Sequence, residues 1–278
     1  MTSHPGIVRT VTWNLFHGRD HPPDPALFTW RSRLLRVTER NATHVQVNRP
    51  LRAEFAATLD RADWDVVLLQ EAPPRWLAAL RERCRADGAL APTSRNELGA
   101  LRGLAARLNP DLIASGEGGS NMILVRSPGV IEATEAVELA RRPERRAMLL
   151  AHVRLPTGAR LVVACMHLSV PPTGQGTDEV LRAADRAVAF AGDLPLVFGG
   201  DLNLRPRRHS QAFAELERRH GLAPPTGPGE IDHLLARGLG VAEPPRALPA
   251  SARELPAGAG RVLRLSDHAL VAAGFEMR

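Results

Sequence analysis

Short runs of apolar residues recur along the chain and end in polar residues, and this pattern limits the fold more than any other feature. Val66, Val67, Leu68 and Leu69 end in Gln70 and Glu71; Leu161 to Met166 end in His167; Leu196, Val197 and Phe198 end in Gly199, Gly200 and Asp201. Runs this short, rich in valine and bounded by turn residues, predict buried strands. Their apolar continuity predicts a sheet covered on both faces. Ile7 to Trp13, Met122 to Arg126 and Ala147 to Leu155 read as further strands. Helical patterns lie between them. Asp178 to Phe190 spaces Val180, Leu181, Ala184, Val188 and Ala189 along one helical face, and Arg75 to Arg85 and Gln211 to His220 read likewise.

Strands and helices mix along the whole length, without a Gly/Ser linker or a fixed-period repeat, so residues 1–278 are expected to form a single domain. A chain of 278 residues, 44% apolar and 24% charged, can bury a sizeable core and is neither disordered nor collagen-like. Pro171 to Gly176, Ala223 to Gly229 and Ala242 to Gly260 are Pro/Gly-rich and read as loops. The stretch from Asn14 to Glu71 far exceeds the roughly 30 residues of a strand–helix–strand unit. Its surplus, near 17–50, is arginine-rich and contains Asn41, His44 and Asn48. It reads as a solvated insertion or as a wall of the site. Cys84 and Cys165 make neither a disulfide framework nor a zinc site. No apolar run reaches the roughly 18 residues of a membrane span, and the start does not read as a secretory signal. The expected location is cytoplasmic. All 36 basic side chains are arginine, against 30 acidic ones, for a formal charge of +6. Arginine grips phosphate with two parallel N–H bonds, but this excess alone does not define a nucleic-acid partner.

Six polar segments stand at strand ends, where a rigid scaffold presents its functional groups: Thr12-Trp13-Asn14, Gln70-Glu71, Met166-His167-Leu168, Gly200-Asp201-Leu202-Asn203, Ile231-Asp232-His233 and Ser266-Asp267-His268. Each alone has a structural reading. Glu71 could start a helix, Asp201 and Asn203 could stabilise a turn, His167 could be a hydrogen-bonded core histidine and Asp232 could cap or pair. Taken together and in this order, they resemble the endonuclease/exonuclease/phosphatase superfamily of deoxyribonuclease I-like, metal-dependent phosphodiesterases. Gly-Asp-Leu-Asn followed by a terminal Ser-Asp-His is the specific part, and the resemblance runs from Val8 to Val271. It implies an α/β (α+β) fold, a four-layer α/β/β/α sandwich of two mixed β-sheets flanked by helices.

The resemblance also implies a chemistry. Magnesium, with manganese as a substitute, offsets the phosphate charge and prefers hard oxygen ligands. Glu71 is the first candidate ligand, Asn14 adds an amide oxygen or orients a bound water, and Asp267 joins through a second or water-mediated site. Asp201 and Asn203, if on one continuing strand, face the same way and hold the attacking water and the phosphate. Asp232 fixes the His268 ring, and the pair acts as general base, or as donor to a phosphate oxygen if Asp201 takes the proton. His167 stabilises the developing charge or protonates the leaving oxygen. Asn121, Arg145, Arg146 and Arg205 are candidates for the substrate phosphate, with Arg207 and Arg208 beside Arg205. A solvated basic loop is the alternative for those three. His17 is close enough to Asn14 to line the site, and His233 is expected to point away from it.

Tyrosine is absent from the chain. Exonuclease III-like enzymes place one where the His167 strand enters the site, so the resemblance is to the histidine-bearing branch. The expected activity is magnesium-dependent phosphoester hydrolysis, with a phosphodiesterase or nuclease favoured and a lipid or small-metabolite (inositol-type) phosphatase as the alternative. A non-catalytic binding protein on the same fold is the rival of a different class, and it would need no such polar set. The expected partner is a phosphoester substrate, nucleic acid among the candidates; no protein partner is predicted.

Overall fold

The computed structural model describes residues 6–93, 108–110, 119–141, 144–170 and 175–277. In chain order it begins with β1 (Ile7–Asn14), α1 (Trp30–Leu35), β2 (Glu39–Arg40), β3 (His44–Gln46), α2 (Arg52–Arg61), β4 (Val66–Ala72) and α3 (Leu77–Cys84). Next come β5 (Ala86–Pro92), β6 (Ser120–Arg126), β7 (Val130–Ala140), β8 (Arg146–Arg154), β9 (Arg160–His167) and α4 (Gln175–Ala191). The last third holds β10 (Leu196–Asp201), α5 (Ser210–His220), β11 (Asp232–Arg237), β12 (Leu239–Ala247), β13 (Glu254–Pro256), β14 (Val262–Arg264) and β15 (Val271–Met277). One sheet runs β12-β15-β1-β4-β6-β5, the other β11-β10-β9-β8-β7, each with parallel and antiparallel pairs.

Alternation along the strands explains the layers. Val66 and Leu68 point between the two sheets, joining Val125, Leu149, Val163, Val197 and Phe275. Val67 and Leu69 point the other way, to Trp13 and to Phe55, Leu59 and Leu80 of α2 and α3. Val162 and Phe198 of the second sheet face Val180, Ala184, Phe213 and Leu216 of α4 and α5. Strands buried on both faces are why these runs read as unbroken apolar stretches. The result is four layers, helix, sheet, sheet, helix, as the resemblance implied.

The structure also corrects several expectations. α4 buries Val180, Ala183, Ala184, Ala187 and Ala191, whereas Ala189 is exposed, so the buried face is rotated from the expected one. Ala242 to Gly260 is not a loop throughout. Residues 242–247 lie in β12 and 254–256 form β13, because antiparallel pairing to β15 and β14 satisfies the backbone despite the prolines, while 257–260 remain a turn. Of Pro171 to Gly176, residues 171–174 lie outside the described residues and the end starts α4. The surplus between Asn14 and Glu71 carries strands of its own. β2 and β3 join β14 and β13 in a third, four-stranded sheet, and Asp20 bridges to Leu265 just before Ser266.

Candidate active site

At one end of the molecule the interior faces of both sheets turn polar. Asp201 ends β10 opposite His167 of β9 and opposite Asp232 of β11. All three share the face that carries Val163, Val197 and Leu234 into the inter-sheet core. From the other sheet, Asn14 and Gln70 lie side by side on the facing surface. Gln70 spans the sheets, its Nε2 donating to Cys165 Sγ at 3.3 Å.

Simple alternation would send Glu71 to the helix side with Leu69. Instead the β4–β6 register shifts between Leu69 and Ala72, and Glu71 takes a left-handed backbone at φ 49°. Such a bulge re-aims a side chain. Glu71 Oε1 lies 3.7 Å from His167 Nδ1, and Oε2 lies 3.2 Å from His17 Nε2. On its far side His167 Nε2 is 3.5 Å from Asp201 Oδ2.

Asn14 Nδ2 donates to Asp201 Oδ2 at 3.0 Å, and its Oδ1 accepts the Phe16 N–H at 2.9 Å. The strand does not continue through Asn203, which corrects the expected same-face pair. β10 stops at Asp201 and Asn203 is left-handed at φ 54°. Asn203 N donates to Asp201 Oδ1 at 3.1 Å and its Nδ2 to Leu168 O at 2.8 Å. Turn geometry therefore keeps the two residues together.

His268 Nδ1 lies 2.7 Å from Asp232 Oδ2, and its Nε2 faces Asp201 Oδ2 at 3.8 Å and Asp267 Oδ1 at 3.9 Å. The segment is held from below. Ser266 Oγ donates to Asn14 O at 2.7 Å and accepts the His268 N–H at 3.1 Å, while Trp13 Nε1 donates to His268 O at 3.0 Å. Asp201, Asp232 and His268 each bring a ligand-type atom within 4.8 Å of the others, close enough to hold a metal ion.

Burial and charge set the protonation. Burial pushes the Asp201 carboxyl up to about 7, with the Asp232 charge adding to it and His268, Asn14 and Asn203 opposing. For His268, burial works downward, but the hydrogen bond and charge of Asp232, with Asp201 and Asp267, outweigh it and raise the ring to about 10. His167 is held well below the ordinary range by burial and then by Arg146, His268 and His17. His17 is also lowered by burial, against the pull of Glu71.

The softer candidates divide. The Arg146 charge is felt at His167, its Nη2 pairs with Glu144 at 2.9 Å and its Nε is buried without a partner. Arg145 instead lies 3.6 Å from Glu138 on β7 and is half exposed. Asn121 is buried on the inter-sheet face. Its Nδ2 donates to Ala147 O at 2.6 Å, leaving Oδ1 unpartnered. Arg205 is half-buried in the turn after Asn203, its N–H donating to His209 Nδ1 at 3.0 Å, and Arg207 and Arg208 are exposed. His233 points away, as expected, fixed by the Thr226 N–H at 3.1 Å and Leu204 O at 2.9 Å. Sequence reasoning undervalued His17, whose one signal was its nearness to Asn14, and missed the bracing by Trp13 and Ser266.

The Endonuclease/Exonuclease/phosphatase family model matches residues 11–268. The chain belongs to that family, the members of which are hydrolases acting on phosphoester bonds. In fold it is similar to an endonuclease/exonuclease/phosphatase family protein from Bacteroides thetaiotaomicron (14% identity, 99% of each chain covered, TM-score 0.67). It is also similar to a mannosyl-6-phosphatase of the same organism (14% identity, 96% of this chain and 98% of that one, TM-score 0.64). The human Nocturnin catalytic domain with bound sulfate is a third (12% identity, 98% and 95% covered, TM-score 0.65). No curated protein matches the chain in sequence.

Proposed function

We propose that the protein is a magnesium-dependent phosphoester hydrolase that cleaves a phosphodiester, with nucleic acid the first substrate to test. The observation that carries this reading is the 2.7 Å Asp232–His268 pair, turned toward Asp201 and facing Glu71 and His167 across the site. The donor chemistry fits magnesium at Glu71, Asn14 and Asp267, three hard oxygen donors. The Asp201–Asp232–His268 group fits less well, because a ligand must be deprotonated and His268 is raised to about 10. Held by Glu71, Asn14 and Asp267, magnesium would supply charge compensation at the phosphate.

The chain's own groups do the rest. His268, protonated and oriented by Asp232, donates to a phosphate oxygen. Asp201, raised to about 7, is free to take the proton of the attacking water near neutral pH. The Asn203 amide oxygen, left open by the bond from Nδ2 to Leu168, holds that water. His167 stays neutral and offers an N–H to the developing charge on the phosphate. Arg146 adds a cation nearby. The fold shared with a mannosyl-6-phosphatase favours a small-metabolite monoester as the second reading.

A panel of diesters, monoesters and DNA, assayed with Mg²⁺, Mn²⁺ and EDTA, tests both readings. Diester turnover that EDTA abolishes and Mg²⁺ restores is expected. Turnover confined to monoesters would select the second reading, and full activity in metal-free buffer would remove the metal from the reaction.

A further inference from the structure

α1 is inside-out. Its inward residue is Ser32, fully buried, with its Oγ unpartnered. Its outward residues are apolar: Trp30 is 65% exposed, Leu34 58% and Leu35 60%. At 100° per residue, Trp30 and Leu34 lie one turn apart on the face opposite Ser32. Arg31 and Arg33 flank that face, and Arg36 follows at the helix end, all exposed. Leu108 is also exposed (65%), and its neighbour Asn109 donates to Arg33 O at 2.9 Å. A water-facing helix normally buries its leucines and exposes its serine. Here the sequence spends large apolar side chains on solvent and rings them with cations.

We propose that α1 docks on an anionic lipid surface. The aliphatic side chains and the indole would enter the boundary between head groups and acyl chains, and the arginines would meet lipid phosphates. The charge argues for this occupant. From residue 30 to residue 52 there are six arginines, all exposed, and one acid, Glu39. Of the six, Arg49 is paired with Glu54, whereas Arg31, Arg33 and Arg40 make no ion pair among the described residues. A second copy would bring like charges together, and nucleic acid offers the leucines nothing apolar to enter. The helix follows a chain of ring contacts that starts at the rim of the site. Rings link Phe16 to His21 at 5.5 Å and His21 to Phe28 at 5.3 Å, from the turn after Asn14 to the start of α1, and His21 feels the Asp267 charge. Docking would set that rim against the lipid phosphates. It stands independently of the reaction proposed above, since its test needs no turnover.

Of the four tryptophans, Trp13, Trp64 and Trp76 are buried, so a fluorescence change on binding reports Trp30. The full chain is mixed with vesicles of phosphatidylcholine alone or with phosphatidylglycerol. Sedimentation with the anionic vesicles and a blue shift are expected, both weakening with salt. L34E/L35E and R31E/R33E should each weaken sedimentation about tenfold or more. W30F should lose the blue shift and keep the same melting temperature. Failure to sediment with anionic vesicles, or sedimentation unaffected by L34E/L35E, overturns the proposal. A blue shift with single-stranded DNA but not vesicles would assign the face to nucleic acid. Concentration-dependent dimerisation abolished by L34E/L35E, without vesicle binding, would assign it to a second copy.

Discussion

In the proposed reaction Glu71 holds the metal and His268 contacts the phosphate. Glu71 reaches the site because a bulge and a left-handed backbone override strand alternation. Glu71→Gln keeps the shape and removes the charge, so the midpoint of a Mg²⁺ titration should rise about tenfold or more while melting shifts little. An unchanged midpoint with collapsed melting would assign Glu71 to structure. His268→Ala and Asp232→Asn should each lower kcat roughly 10²-fold or more. In that reading Asp232 fixes the ring's orientation and stabilises the imidazolium, so the pair would act as a unit and the double variant should be little worse than the worse single one. Additive losses, read in kcat, would mean that the two residues act separately. Arg146→Ala should raise KM for the phosphoester, and Arg145→Ala should leave it unchanged, since the Arg146 charge is felt at His167 whereas Arg145 lies against Glu138.

β10 is the element that joins the two halves of the site. It delivers Asp201, pairs with β9 and β11, and carries Gly200 at φ 129°, where a Cβ would run into Met166 O and approach Gln70 Nε2. Both the backbone angle and the lack of space exclude a side chain. Gly200→Ala should cost roughly 2–4 kcal/mol, from left-handed strain plus overpacking. Because Asp201 is the next residue, activity in the surviving folded fraction should also fall. Urea unfolding checks the first, and turnover normalised to folded protein checks the second. An Ala variant as stable as the wild type would show that the strand can slide away from Met166 O.

For the whole molecule, acid stability should depend on the buried neutral histidines. His233 is the cleanest case, lowered by burial and locked between Thr226 N and Leu204 O. Its folded pKa lies below the unfolded value of about 6.5, so the unfolded chain takes the proton first. Its contribution is therefore complete above that pH and is lost as pH falls below it. His233→Gln should be less stable than the wild type near pH 7.5, by about 1–3 kcal/mol, and the gap should narrow toward pH 5. Melting curves of both proteins across that range decide the matter, and a gap that widened in acid would contradict the assignment.

Local chemistry made much of this legible in the sequence. Strands buried on both faces must be continuously apolar, so β1, β4, β6, β8, β9 and β10 could be read from their runs alone. Polar residues just past such runs stand where the core ends, which is why Asn14, Glu71, His167 and Asp201 could be picked out. Elements with mixed composition were not legible. β7 faces solvent over much of its length, and β12 carries two prolines; their strand character comes from the partners that pair with them. The site had the same division. Residue types named the candidates, but which carboxylate faces which imidazole depended on two left-handed residues, Glu71 and Asn203, and on packing one sheet against the other. Those are long-range choices. The bulge at Glu71 arises where β4 meets β6, the Asn14–Asp201 bond crosses between sheets, and the proton balance of His268 follows from burial among three carboxylates. A linear pattern records which groups are present, whereas only the folded chain sets the distances and the solvent exclusion that give them their charge.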